Sequence, residues 1–217
     1  MSVLNHIKAI IFDLDQTLLD SWEVHRQSIV HAAQRSGRQI PSSERIRKEF
    51  CGVLEEHIER LFGSFDEVLF DHYVQFYQEN HLGLTSAFPD VQKVLVSLRA
   101  NNYHLAVCSN KRRNTAVPEL DVAGLSSYFG TTLFRDEGFP MKPDPAGLLS
   151  MVRYFGISPN DALFVGDSPD DMLCAQESGV VSVAALWGAM DKEALLDTKP
   201  DIVWYNVTEY AQTVPIT

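Results

Sequence analysis

Four short stretches of this chain carry the residue types that chemistry needs. The first is Asp13-Leu14-Asp15-Gln16-Thr17-Leu18, which follows the apolar run Ile7 to Phe12. A run of that length reads as a short buried strand, so Asp13 and Asp15 emerge where a strand gives way to a loop. Side chains at i and i+2 leave a strand on the same side, and both acids can therefore face one cavity. There they would repel each other unless a cation or a shared proton intervened. Taken alone, the pair reads equally well as turn-forming acids at a strand end.

The second stretch, Ser109-Asn110-Lys111, ends the run His104 to Cys108. Its hydroxyl and amide can donate to phosphoryl oxygens, although alone it is a polar turn. The third, Met141-Lys142-Pro143-Asp144-Pro145, places a lysine before a proline. That restricts the lysine backbone towards an extended geometry and limits where the ammonium points; alone it is a surface lysine in a proline-rich turn. In the fourth, Gly166-Asp167-Ser168-Pro169-Asp170-Asp171, a carboxylate again stands at a strand end, with a second one four residues on. Hard oxygen ligands converging from two strands suit Mg²⁺. Asp170 reads more simply as the cap of the following helix.

Most of the elements that must position these stretches alternate between strand and helix. After Pro89-Asp90 a helix runs to Arg99, then come strands at His104 to Cys108, Thr131 to Phe134, Ala162 to Val165, Val180 to Leu186 and Ile202 to Tyr205. Helices around Ala116 to Ala123, Pro145 to Phe155 and Asp171 to Ser178 separate them. Such alternation predicts an α/β fold: a Rossmann-like parallel sheet covered by helices on both faces, whose ligands sit outside the carboxyl ends of the strands. Residues 20–82 break the pattern. They read as four helices, near 21–36, 41–50, 53–62 and 66–80, with a change of character at Gly83. The block is therefore an insertion: a core of residues 1–18 and 84–217, and an all-helical domain of residues 19–83.

Composition narrows the partners. A chain of 217 residues with a formal net charge of −11 is ill suited to nucleic acid or an anionic membrane surface, which basic proteins meet. A small anionic substrate remains compatible, because local lysines and a metal can invert the field at one site. No stretch approaches the length of a spanning helix and no leader is evident, so a cytoplasmic location is expected. The three cysteines are too few and too scattered for a disulfide framework or a zinc site, and Cys108 is expected to be a buried thiol.

In order and spacing, the four stretches resemble the signature of the haloacid dehalogenase superfamily of aspartate-nucleophile phosphatases. The resemblance covers nearly the whole chain: Asp13-Leu14-Asp15-Gln16-Thr17, Ser109, Lys142-Pro143 and Gly166-Asp167 through Asp171. The helical insertion is similar to the first type of cap in that superfamily. Trp187-Gly188 adds a weaker likeness to its phosphoglycolate phosphatase-like group. The resemblance implies that Asp13 is the nucleophile and that Asp15 protonates the leaving alcohol and later activates water. It implies Mg²⁺ held by Asp13, Asp167 and the Asp15 carbonyl, with Asp171 in support, and phosphoryl oxygens held by Ser109 and Lys142 with help from Thr17 and Asn110. Asp15 favours phosphoryl transfer over dehalogenation. Gln16 departs from the glycine usual at its position and leaves the geometry of the turn open.

The insertion would set substrate choice. Arg47, Lys48 and Cys51-Gly52 lie where related caps place a substrate-facing loop, so Arg47 and Gly52 are candidate substrate contacts; a solvated basic helix end is the competing account. The resemblance thus implies a Mg²⁺-dependent phosphatase acting on a small phosphorylated metabolite, phosphoglycolate-like or a sugar phosphate, as a monomer or homodimer. The alternatives are a hexose-phosphate mutase of the same superfamily and a catalytically silent binding protein. Phosphonate hydrolysis would need a Schiff-base lysine from the insertion, where only Lys48 is present.

Overall fold

A computed structural model describes residues 4–50 and 53–216. Its strands are β1 (Ala9–Phe12), β2 (Leu19–Asp20), β3 (Ser86–Ala87), β4 (His104–Ser109), β5 (Thr131–Phe134), β6 (Ala162–Gly166), β7 (Val181–Ala185) and β8 (Ile202–Trp204). Its helices are α1 (Trp22–Arg35), α2 (Ser43–Lys48), α3 (Leu54–Phe62), α4 (Glu67–Leu84), α5 (Val91–Ala100), α6 (Arg113–Val122), α7 (Ala146–Phe155), α8 (Pro169–Ser178), α9 (Lys192–Asp197) and α10 (Tyr210–Thr213). The chain divides into two compact units, Met1–Asp20 with Ala87–Thr217, and Ser21–Ser86.

The first unit is built on a six-stranded sheet in the order β5-β4-β1-β6-β7-β8. Every neighbouring pair is parallel. Parallel strands covered on both faces must be apolar on both, and β1 shows it: Ile10 and Phe12 pack with Leu95, Leu98 and Leu120 on one side, Ala9 and Ile11 with Leu148, Met151 and Ala175 on the other. The expected Rossmann-like α/β fold is therefore present, with β1 at the centre and its carboxyl end flanked by those of β4 and β6.

The helical unit has its own core of Val24, Ile29, Ala32, Ile46, Ile58, Leu61, Leu69, Tyr73 and Tyr77. Asp66 caps α4 by accepting from the Leu69 N–H, and Gly63 ends α3 with φ 87. The fourth helix runs beyond the expected end near residue 80, because α4 continues through Gly83 to Leu84; a glycine that keeps helical φ weakens a helix without stopping it. The sequence reading also missed α9, α10 and the two-residue strands β2 and β3, which are too short to show a periodicity. No helix among the described residues is long and apolar enough to cross a membrane.

Candidate active site

The four stretches meet at the carboxyl ends of β1, β4 and β6. Asp13 follows β1 directly, and its N–H continues the ladder by donating to the Val165 carbonyl of β6 at 2.8 Å. The chain then folds back in a tight turn: the Leu19 N–H donates to the Leu14 carbonyl at 2.9 Å and the Gln16 N–H to the Leu19 carbonyl at 2.7 Å. Gln16 adopts the left-handed region that glycine would favour, with φ 59. This costs about 1–2 kcal/mol, so the turn keeps its shape despite the substitution because its surroundings hold it. Part of that hold comes from Trp187, whose indole N–H donates to the Thr17 carbonyl at 3.0 Å. Gly188 permits the close approach: any Cβ there would run into the Gln16 carbonyl.

Lys142 stands at the centre of the site. Its ammonium donates to Asp13 Oδ1 and to Asp171 Oδ1, each at 2.5 Å, with the side chains of all three residues nearly inaccessible. Two carboxylates raise the Lys142 ammonium well above its ordinary value, against the downward pull of burial. The Lys142–Pro143 peptide is cis. Asn110 brackets the lysine backbone, its Nδ2 donating to the Lys142 carbonyl at 3.1 Å and its Oδ1 accepting the Lys142 N–H at 2.9 Å. The Asn110 amide, expected at the phosphoryl end, thus uses one of its two N–H groups in holding Lys142. Ser109, buried at the end of β4, accepts the Lys111 N–H on its hydroxyl at 3.3 Å and keeps its own proton to donate.

Asp167 follows β6 and accepts from the hydroxyl of Thr17, the residue expected at the phosphoryl end, at 3.0 Å. Asp170 is not the cap of α8. Ser168 is, in a capping box with Asp171, whose Oδ2 accepts from the Ser168 N–H at 3.1 Å and hydroxyl at 2.6 Å. Asp171 therefore faces the cap with one oxygen and Lys142 with the other. Its side chain lies so close to Gly166 that a Cβ at that position would collide with it.

Asp13, Asp167 and Asp171 bring carboxylate oxygens within 4.8 Å of one another. Burial, opposed by Lys142 and reinforced by Asp171, pushes the Asp13 carboxyl up to about 6. Burial and the charges of Asp171 and Asp13 push Asp167 up as well. An all-oxygen donor set whose members crowd one another in this way fits a hard divalent cation. Cys108, beside this cluster, is buried as expected, and burial pushes its thiol up to about 12.

Asp15 turns to a group that the sequence reading passed over. Its Oδ1 pairs with the Lys111 ammonium at 2.8 Å, and that ammonium also pairs with Glu119 of α6. The available signal was Glu119 itself, an acid three residues after Ala116 and next to Leu120 on the face of α6 that is otherwise apolar. In the helical unit, Arg47 lies with its guanidinium 4.6 Å from the centroid of the Trp22 ring. Gly52 lies outside the described residues.

Comparison with known proteins agrees with this arrangement. Residues 10–185 match the family described as haloacid dehalogenase-like hydrolase. The chain is 30% identical to phosphoglycolate phosphatase 1 of Pseudomonas aeruginosa, over 93% of this chain and 78% of that one. It is 27% identical to pyrophosphatase PpaX of Oceanobacillus iheyensis, over 94% of each. A haloacid dehalogenase-like family hydrolase from Streptococcus pneumoniae superposes with a TM-score of 0.85 at 25% identity, covering 95% of this chain and 98% of that one. With the family match of residues 10–185 spanning the acidic cluster and the strands β1, β4 and β6 that carry it, the chain belongs to the haloacid dehalogenase-like hydrolase family and is an enzyme.

Proposed function

We propose that this chain is a Mg²⁺-dependent phosphatase that hydrolyses a small phosphomonoester through an aspartyl-phosphate on Asp13. The observation that carries the reading is the position of Lys142, which bridges Asp13 and Asp171 beside Asp167 and leaves one cation among three acids. Asp13, Asp167 and the Asp15 carbonyl would hold the metal, with Asp171 supporting it. Bound there, the metal supplies charge that shields the attacking carboxylate from the phosphate.

In the first step an Asp13 carboxylate oxygen bonds to phosphorus while the bond to the leaving oxygen breaks. The bonding electrons pass to that oxygen, and Asp15 gives it a proton. In the second, Asp15 takes a proton from water, the resulting hydroxide oxygen bonds to phosphorus, and Asp13 departs as carboxylate. Ser109 and Lys142 hold the phosphoryl oxygens throughout, each from a buried position that preserves its orientation. The helical unit is the expected source of substrate choice, with Arg47 the candidate partner for a second anionic group. The names of the relatives, phosphoglycolate phosphatase and pyrophosphatase, support a small phosphorylated metabolite as substrate.

The test is phosphate release from a panel containing phosphoglycolate, sugar phosphates, nucleotides and pyrophosphate, with and without Mg²⁺, for wild type and Asp13→Asn. Mg²⁺-dependent release that the variant loses supports the reading. Silence of folded wild type across the panel sinks it.

A further inference from the structure

The Asp15 carboxylate is held by an ion pair reaching back into the core. Lys111 is fixed at its backbone, where its N–H donates to the Ser109 hydroxyl at 3.3 Å and its carbonyl accepts the Arg135 N–H at 3.1 Å. Its side chain is 9% exposed and ends between Asp15, 23% exposed, and Glu119, fully inaccessible. Asp15 alone would neutralise the lysine. A second carboxylate adds charge that neutralisation does not require, in a place where an acid without a cation is costly. What Glu119 does supply is a second anchor: a flexible four-carbon side chain tied to one acid can swing, whereas one tied to two has its ammonium fixed.

We propose that Lys111, anchored by Glu119, is a positioning residue that holds the Asp15 side chain by Oδ1 in the orientation from which its protonated carboxyl gives a proton to the leaving oxygen. The inference rests on the phosphatase reading above, in which Asp15 is the general acid. It assigns Lys111 to the acid, and not to the recognition of an anionic substrate.

Leaving groups separate these roles. Phenyl phosphate and p-nitrophenyl phosphate have the same charge and nearly the same shape, but nitrophenolate leaves without a proton far more readily than phenolate. The value of kcat/KM reports the step in which the leaving group departs, so it is measured on both esters, with Mg²⁺, for wild type, Asp15→Asn, Lys111→Met and the double variant Lys111→Met/Glu119→Gln. The double variant also neutralises the buried acid whose lysine partner the single one removes. A well-placed general acid contributes on the order of 100-fold or more, so Asp15→Asn should lose at least about 10-fold more on phenyl phosphate than on p-nitrophenyl phosphate. Both lysine variants should share that asymmetry. Equal losses on the two esters in the folded double variant, with the asymmetry present in Asp15→Asn, would overturn the positioning role, as would no loss at all. Absence of turnover by wild type on these esters and on the whole panel would overturn the phosphatase reading itself, and this inference with it.

Discussion

The indole N–H of Trp187 donates to the Thr17 carbonyl at 3.0 Å, tying the segment after β7 to the turn after β1. Next to it, Gly188 lies against the Gln16 carbonyl with no room for a side chain. Both contacts fall on the turn that carries Asp13, Asp15 and Thr17, where Gln16 has φ 59. Trp187→Phe keeps the ring and deletes the donor, and should cost about 1 kcal/mol of stability. Gly188→Ala forces backbone apart and should cost more, about 2–3 kcal/mol, with a larger fall in kcat/KM. Thermal melts and steady-state kinetics of the two variants check the order.

Lys142→Met should be the most damaging single change for folding. It leaves Asp13 and Asp171 facing each other inside the protein without their shared cation. Removing one partner of a buried ion pair costs about 3–5 kcal/mol. Adding Asp171→Asn should return part of that loss, and urea unfolding of the single and double variants measures both.

Stability without added metal should fall as pH rises through the window set by Asp13. Its carboxyl is raised from 3.8 to about 6, so between those values the folded chain binds more protons than the unfolded chain. Folding is thus favoured on the acid side and loses that contribution as Asp13 ionises. Mg²⁺ binds the ionised acids, so its stabilising effect should be larger at about pH 7.5 than at about pH 5. Thermal shifts with and without Mg²⁺ at the two pH values test this; an equal shift at both would contradict it.

The helical unit carries the opposite dependence. Burial, helped by Arg60, lowers His57 from 6.5 to about 4. A depressed histidine contributes stability that is complete above 6.5 and is lost as pH falls through about 4. The contribution is on the order of 3 kcal/mol. His57→Leu should flatten the acid limb of the stability curve, as followed by denaturant midpoints across that range.

The residue types that make up the candidate site lie in local patterns, and so the sequence alone determined where to look for them. Asp13 and Asp15 at the end of an apolar run, Lys142 before Pro143 and Asp167 after another apolar run are short-range patterns, and the alternation of strands and helices implied a sheet that gathers strand ends. Which partner each side chain takes was decided only by the tertiary structure. Lys111 meets Asp15 across 96 positions, Lys142 meets Asp13 across 129 and Trp187 meets Thr17 across 170. Asn110 and Thr17 were expected at the phosphoryl end; which protein groups they also meet, the Lys142 carbonyl for one Asn110 N–H and Asp167 for the Thr17 hydroxyl, only the fold shows. The physical reason is one of reach. A residue's chemistry and its local backbone preference act over a few neighbours, whereas the burial that makes a lone charge intolerable exists only once distant strands have closed around it.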